Sequence, residues 1–371
     1  MQYRKLGRTG LEVSAIGLGT EYLINVPQET VSAVIHAAIA QGVNYFDLFF
    51  AQPQFRDQMG IAFQGYRTRV ILTAHLGAAD RAGQYEKTRN LQESEYFFLD
   101  FLARYHTDYA DVLFVHNSDG QADYDEIMKQ GGLLDMARRF QREGKTRFIG
   151  YSGHTVATAQ QAVKSGQMDV LMFPINLASH AVRGKRGLFQ ACVAYNVGLV
   201  AMKPFAGGKL LQSERQLKMN RWLSGGTKYQ VDKKAGVTPV QCLAYVLAQM
   251  GISTVVPGCK DLAQLAAALA YGQATEAEKD FSALVSDFQQ YVTGECVYCN
   301  HCLPCPSVID IGQTIRLLEL AQPRLTPELR TVYQALSSNA SDCIQCGDCE
   351  ARCPFEVAVM SKMEQAAALF G

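Results

Sequence analysis

The sequence predicts an α/β fold in which eight strand-helix repeats close into a TIM barrel, with a smaller helical domain after it. Three observations predict this. Short β-branched or apolar runs recur at intervals of about 25 to 40 residues between Val13 and Gly258, each followed by a segment of helical period. Polar and charged residues gather at the C-terminal ends of those runs. Eight of the eleven cysteines lie in two tight groups near the end of the chain, which sets that part apart from the rest.

The eight runs are Val13 to Gly19, Val43 to Asp47, Val70 to Leu76, Asp111 to His116, Arg147 to Ser152, Val170 to Asn176, Gly198 to Lys203 and Ser253 to Gly258. Parallel strands need long crossovers, and Gln28 to Gln41 and Leu262 to Tyr271 are examples of the helices that supply them. A doubly wound open sheet competes, but it calls for a glycine-rich phosphate turn after the first strand and a reversal of strand order, and the sequence offers neither. Asp47, His75, His116, Ser152, Asn176 and Lys203 stand at run ends, which in a barrel all face one mouth. A hydrogen bond at a strand end accounts for any one of them, whereas six together predict a site. After Gly272 a charged helical stretch ends near Tyr291. Ile311 to Ala321 and Thr326 to Ser337 then read as helices, so the chain divides into a barrel over 1–285 and a second domain over 286–371.

A chain of 371 residues, 48% hydrophobic and 19% charged, can bury a proper core. Lys plus Arg equals Asp plus Glu at 35 each, leaving no overall field to attract nucleic acid or an anionic membrane surface. No apolar run approaches the roughly 18 residues of a spanning helix. The first residues, Met1-Gln2-Tyr3-Arg4-Lys5, lead into structured sequence and not into a signal-peptide core, so a cytoplasmic, reducing compartment is expected.

The first cysteine group is Cys296-Val-Tyr-Cys299-Asn-His-Cys302-Leu-Pro-Cys305-Pro306, and the second is Cys343-Ile-Gln-Cys346-Gly-Asp-Cys349-Glu-Ala-Arg-Cys353-Pro354. Three thiolates two residues apart wrap one face of a 4Fe-4S cubane, and in two-cluster ferredoxins the fourth Cys ligates the other cluster. On that pattern Cys296, Cys299, Cys302 and Cys353 hold one cluster, and Cys343, Cys346, Cys349 and Cys305 the other, in a ferredoxin-like helical domain. A pair of structural zinc sites is the competing reading, although zinc seldom uses eight Cys with a closing Pro. Cys192, Cys242 and Cys259 lie in apolar or strand-end contexts and read as buried small hydrophobes. Cys259, beside a candidate ligand loop, is the one of the three to watch.

Beyond the cysteines, several segments carry a resemblance. They are Tyr3-Arg-Lys-Leu-Gly-Arg-Thr-Gly-Leu-Glu-Val-Ser, Ile16-Gly-Leu-Gly-Thr20, Asn44-Tyr-Phe-Asp47, Arg147-Phe-Ile-Gly-Tyr-Ser-Gly-His154, Ala201-Met-Lys-Pro-Phe-Ala-Gly-Gly208 and Thr254-Val-Val-Pro-Gly258. With the Cys groups, they make the sequence resemble the 4Fe-4S-containing branch of the aldo-keto reductases over nearly the whole chain. The resemblance implies a TIM barrel, an NADP(H)-type cofactor across the mouth, and reversible hydride transfer to a carbonyl. It also implies an Asp, Tyr, Lys and His catalytic set. Asp47 and His116 match the Asp and the His, whereas the Tyr position falls on Gln52 and the Lys position on His75. An amide cannot release a proton at accessible pH, so Gln52 cannot be the family's general acid; His75 can titrate near neutrality and is the candidate proton donor or acceptor, with His116 holding the substrate oxygen.

For the cofactor, the resemblance places Ser152 and Asn176 near the nicotinamide. It places Lys203, Gly207 and Gly208, then Gly258 and Lys260, at the phosphates, and Gln264 toward the adenine. Ala267 and Ala268 replace polar residues of the adenine side, and Met172 stands where the family often has Gln. A flavin is the alternative occupant. Three readings of the mouth remain open at this point. One is a redox reaction of a small-molecule substrate coupled to the clusters, with a redox partner protein such as a ferredoxin or flavodoxin. The second is a mononuclear Fe or Zn enzyme built on Asp47, His75 and His116. The third is a non-catalytic electron carrier or redox sensor on a degenerate barrel.

Overall fold

The computed structural model describes residues 1–371 except 181, 183, 213–215, 220–228, 233–235, 287–293, 295, 297–301, 323 and 354–355. One sheet holds the eight parallel strands: β1 (Leu18–Gly19), β2 (Tyr45–Asp47), β3 (Ile71–Leu76), β4 (Ala110–Val115), β5 (Thr146–Ser152), β6 (Val170–Pro174), β7 (Gly198–Met202) and β8 (Ile252–Val256). Each pairs with its successor in sequence, and isolated bridges Ile16–Val255 and Gly19–Gly258 bring β8 back beside β1. Gly17 N–H donates to the Val255 carbonyl at 2.8 Å and Val255 N–H to the Ala15 carbonyl at 3.0 Å, which closes the seam. The fold is the TIM barrel that the repeats predict.

The strands are buried on both faces, as parallel strands covered by crossover helices must be. Outside them lie helices such as Gln28–Ala40, Leu91–Arg104 and Pro239–Ala248. Inside, Tyr45, Phe114, Val170, Met172 and Val200 pack with Leu6 and Val13. That packing revises one expectation. The run Val13 to Gly19 is not a single strand: Glu12–Ser14 pairs antiparallel with Tyr3–Lys5, and only Leu18–Gly19 joins the barrel. The N-terminal hairpin puts Leu6 and Val13, both fully buried, across the foot of the barrel. Gly7 makes this approach workable. Its φ is +50°, and a Cβ there would lie 2.2 Å from Gly198 N.

A second hairpin grows out of the C-terminal end of β3 through Gly77 (φ +97°). Ala78–Arg81 pairs with Gln84–Lys87 across the two-residue turn Ala82-Gly83, whose φ values of +51° and +84° are those of the tight turns that suit strand twist. It stands at the mouth.

The C-terminal part is helical: Ile311–Ala321, Pro327–Gln334, Asp348–Arg352 and Val359–Phe370. The first coincides with the sequence expectation; the second is shorter, with Thr326 capping it by accepting from Leu329 N–H at 3.3 Å and Pro327 at its first position. Tyr333 stacks on Phe370 at 4.1 Å. Among the described residues no helix is long and apolar enough to cross a membrane.

Candidate active site

Three strand ends bring Asp47, His75 and His116 together, all of them buried. A buried carboxylate needs partners, and Asp47 has two: Thr73 Oγ1 donates to its Oδ1 at 3.0 Å, and His75 Nε2 lies 2.8 Å from the same oxygen. The other face of the His75 ring system is also engaged, with Nδ1 2.8 Å from His116 Nδ1. His116 Nε2 in turn lies 2.5 Å from the hydroxyl of Tyr85, on the 84–87 strand of the mouth hairpin. Phe49 stacks on His116 at 5.8 Å and meets Tyr85 edge-on at 5.6 Å, holding both rings in place. Burial pushes the His116 imidazole well below its ordinary pKa, and the neighbouring His75, Arg89, His154 and Lys87 push the same way, so His116 is neutral.

These groups line a cavity of about 340 Å³ together with Glu21, Ser152, His154, Met172 and Lys203. A second cavity of about 410 Å³ adjoins it, lined by Lys203, Gly207, Gly208, Gly258, Lys260, Gln264 and Ala267, and the two share Glu21 and Lys203. Seven of the eight sequence-derived cofactor residues therefore lie on this two-lobed space. Asn176 does not: it is buried, and its Nδ2 donates to the Lys203 carbonyl at 3.1 Å, where Lys203 adopts φ +58°. It shapes the loop that presents the lysine. Gln52 also lines neither cavity, and its side-chain nitrogen lies 3.9 Å from where a Cβ would sit on Gly83, at the turn of the hairpin. The hairpin, and not position 52, brings a phenol to the mouth.

Sequence reasoning missed Tyr85 and Glu21. Tyr85 lies in a stretch of mixed polarity whose only signal is the Ala-Gly pair between two four-residue segments. Glu21 follows Thr20 without any motif of its own. Burial raises the Glu21 carboxyl above its ordinary range, against the pull of Lys203 and with the push of Asp47.

The cleft suits an anionic group. Lys203 and Lys260 supply cations, the Gly207-Gly208 and Gly258 segments let backbone approach closely, and a Cβ on Gly258 would strike the Tyr22 ring at 2.4 Å. A single metal ion fits the mouth less well, because both nitrogens of His75 are spent on Asp47 and His116.

In the C-terminal part Cys305, Cys343, Cys346 and Cys349 line one small cavity with Ile309, Ile311, Val359, Met360 and Met363. The last Cys of the first motif thus sits with three of the second. Arg352, next to Cys353, donates to the carbonyls of Cys302 at 3.0 Å and Pro304 at 2.6 Å, which joins the two motifs locally. Cys299 lies outside the described residues. The three remaining Cys are buried, and burial pushes the Cys259 thiol up to about 12, so it stays protonated and inert.

Comparison with known proteins agrees with this architecture. The family model "Aldo/keto reductase family" matches residues 15–286, and the model "4Fe-4S dicluster domain" matches residues 295–358. The chain is 24% identical over 284 residues to the oxidoreductase YqkF of Bacillus subtilis, covering 71% of this chain and 89% of that protein. It is 24% identical over 294 residues to L-galactose dehydrogenase of Arabidopsis thaliana, covering 71% and 86%. The structure of aldo-keto reductase AKR11C1 from Bacillus halodurans, in its holo form, superimposes with a TM-score of 0.61 at 21% identity, over 75% of this chain and 94% of that one. A barrel matched by the family model from its first strand through its last, joined to a 4Fe-4S dicluster domain, makes this chain a member of the aldo/keto reductase family and an iron-sulfur oxidoreductase.

Proposed function

We propose that the protein couples electron transfer through two 4Fe-4S clusters to the oxidation or reduction of a small molecule at the barrel mouth, with NADP(H) in the adjoining cleft. The observation that carries this reading is the two-lobed space. A polar, hydrogen-bonded mouth opens directly into a glycine-rich cleft flanked by Lys203 and Lys260. A drifted, idle barrel would fill its mouth with apolar side chains sooner than retain costly buried polar ones.

Cys296, Cys299, Cys302 and Cys353 would hold one cluster and Cys343, Cys346, Cys349 and Cys305 the other. When bound, a nicotinamide exchanges a hydride, and two clusters together exchange the same number of electrons one at a time. Lys203, Gly207, Gly208, Gly258, Lys260 and Gln264 hold the cofactor, and Ser152 borders the reacting end. Asp47, His75 and His116 manage the proton. Cys346 is exposed, and Val308 and Ile344 beside the same cysteine cavity are 75% and 66% exposed, an apolar rim on which a ferredoxin or flavodoxin docks. The zero net charge argues against nucleic acid as a partner, and the compartment is the reducing cytoplasm.

Anaerobic titration with NADPH tests the reading. The protein as purified contains about eight iron atoms per chain, and its cluster absorbance bleaches on addition of NADPH. A chain with that iron content but indifferent to NADPH at every concentration would remove the nicotinamide from the scheme.

A further inference from the structure

We propose that Tyr85 is the catalytic residue that exchanges a proton with the substrate oxygen, and that Asp47, His75 and His116 form one line of hydrogen bonds that refills it. The reaction is the one proposed above; the hydrogen-bonded line itself stands on geometry independent of that reading. Four groups lie end to end: Asp47 Oδ1 to His75 Nε2 at 2.8 Å, His75 Nδ1 to His116 Nδ1 at 2.8 Å, and His116 Nε2 to Tyr85 Oη at 2.5 Å. No other phenol lines the described part of the mouth, and Gln52 has no proton to give.

Elementary hydrogen-bond rules fix how such a line fills. An ionised Asp47 only accepts, so His75 Nε2 carries a hydrogen. If His75 is neutral, its Nδ1 accepts, His116 Nδ1 must donate, His116 Nε2 accepts, and the Tyr85 hydrogen points inward to it. If His75 carries one more proton beside Asp47, every bond beyond it reverses: His75 Nδ1 donates, His116 turns to its other tautomer, its Nε2 donates to the Tyr85 oxygen, and the phenol hydrogen is released toward the cavity. The first filling accepts a proton and the second delivers one.

The hydride for the new C–H bond at a carbonyl carbon would come from a reduced nicotinamide held by Lys203, Lys260 and the glycine segments. As the C=O π pair moves onto oxygen, Tyr85 gives that oxygen its proton, His116 Nε2 replaces it, and His75 Nδ1 replaces that of His116. The line returns to its neutral filling, and the one proton consumed comes back from solvent. Alcohol oxidation runs the same sequence backwards, so one arrangement serves both directions.

The hairpin is built to hold Tyr85 still. Arg89 grips Asp123 with two bonds, Nε to Oδ1 at 2.7 Å and Nη2 to Oδ2 at 2.8 Å, and donates to the Asn117 carbonyl at 3.0 Å. Lys87 joins the same carboxylate at 3.0 Å. The charged groups that face the line are therefore Lys87 and Arg89 beyond the hairpin, Asp119 with His154 from the neighbouring loops, and Glu21 with Lys203 across the cavity.

Two measurements on the cluster-loaded protein decide the matter. In ¹⁵N spectra of histidine-labelled protein, His116 is expected as a neutral ring that changes from the Nδ1–H to the Nε2–H tautomer as His75 gains its proton, and Tyr85→Phe shifts the Nε2 signal of His116. An unchanged tautomer and an unmoved Nε2 signal would overturn the proposal. In turnover of NADPH with 4-nitrobenzaldehyde, Tyr85→Phe is expected to lower kcat by about 100-fold or more with KM for NADPH unchanged; a loss within twofold, or one confined to KM, counts against it. Should the native protein fail to oxidise NADPH at all, the nicotinamide reading falls alone, and the nitrogen spectra still decide for or against the line.

Discussion

A histidine enclosed among other cationic groups gives up its proton early, and two residues here do so. His116 is held well below its ordinary pKa by burial and by His75, and His180 is lowered to about 3 by burial and by Lys185 and Arg186. The unfolded chain binds protons on both as pH falls below 6.5, whereas the fold does not. Their contribution to stability is therefore intact above that value and is lost progressively toward the folded-state pKa, at up to about 1.4 kcal/mol per pH unit for each. Denaturant midpoints measured from pH 7 to pH 5.5 should fall on the acid side, and His180→Gln should flatten that fall by removing one of the two groups. At this scale much of the mouth was legible. Asp47, His75, His116 and Ser152 stand at strand ends, and a strand end in a barrel has only one place to point. Asn176 occupies the family's nicotinamide position, yet its amide holds the Lys203 carbonyl, since position in the chain does not fix which way a side chain turns.

Among the elements, the N-terminal hairpin offers the plainest test. Gly7 sits at φ +50° with the backbone of Gly198 where its Cβ would be, so Gly7→Ala combines a disfavoured backbone with a clash. It is expected to destabilise the barrel by about 2 kcal/mol or more, measured by urea unfolding; a loss within experimental error would mean the hairpin does not seat as described. Most elements could be read in advance because hydrophobic period governs them: Val170 to Asn176 anticipates Val170–Pro174, and Ile311 to Ala321 is met residue for residue. The 78–87 hairpin could not. Ala78-Ala-Asp-Arg buries only its two alanines and Gln84-Tyr-Glu-Lys is exposed throughout, so no apolar alternation announces them. Their order comes from the Ala82-Gly83 turn and from Arg89 on Asp123, contacts that only the folded chain assembles.

Taken as a whole, the molecule fastens its two parts with a buried charge. Glu319 of helix Ile311–Ala321 is 1% exposed and meets Arg186 of barrel helix Lys185–Ala194 and, at 3.5 Å, Lys362 of helix Val359–Phe370. Removing the carboxylate leaves two cations facing each other, so Glu319→Gln is expected to cost about 2 kcal/mol. Calorimetry should show the unfolding of the C-terminal helices moving to lower temperature, and an unshifted transition would mean the trio carries no weight. The barrel and the dicluster tail were both evident from repeat length and cysteine spacing, whereas the buried charge at this junction is one acidic residue on a helix that nothing in its neighbourhood marks.

The buried Leu6 and Val13 at the foot of the barrel also settle how traffic runs. A vessel stoppered at its base is open only along its upper rim, so small molecules and solvent reach Asp47, His75 and His116 from that side alone.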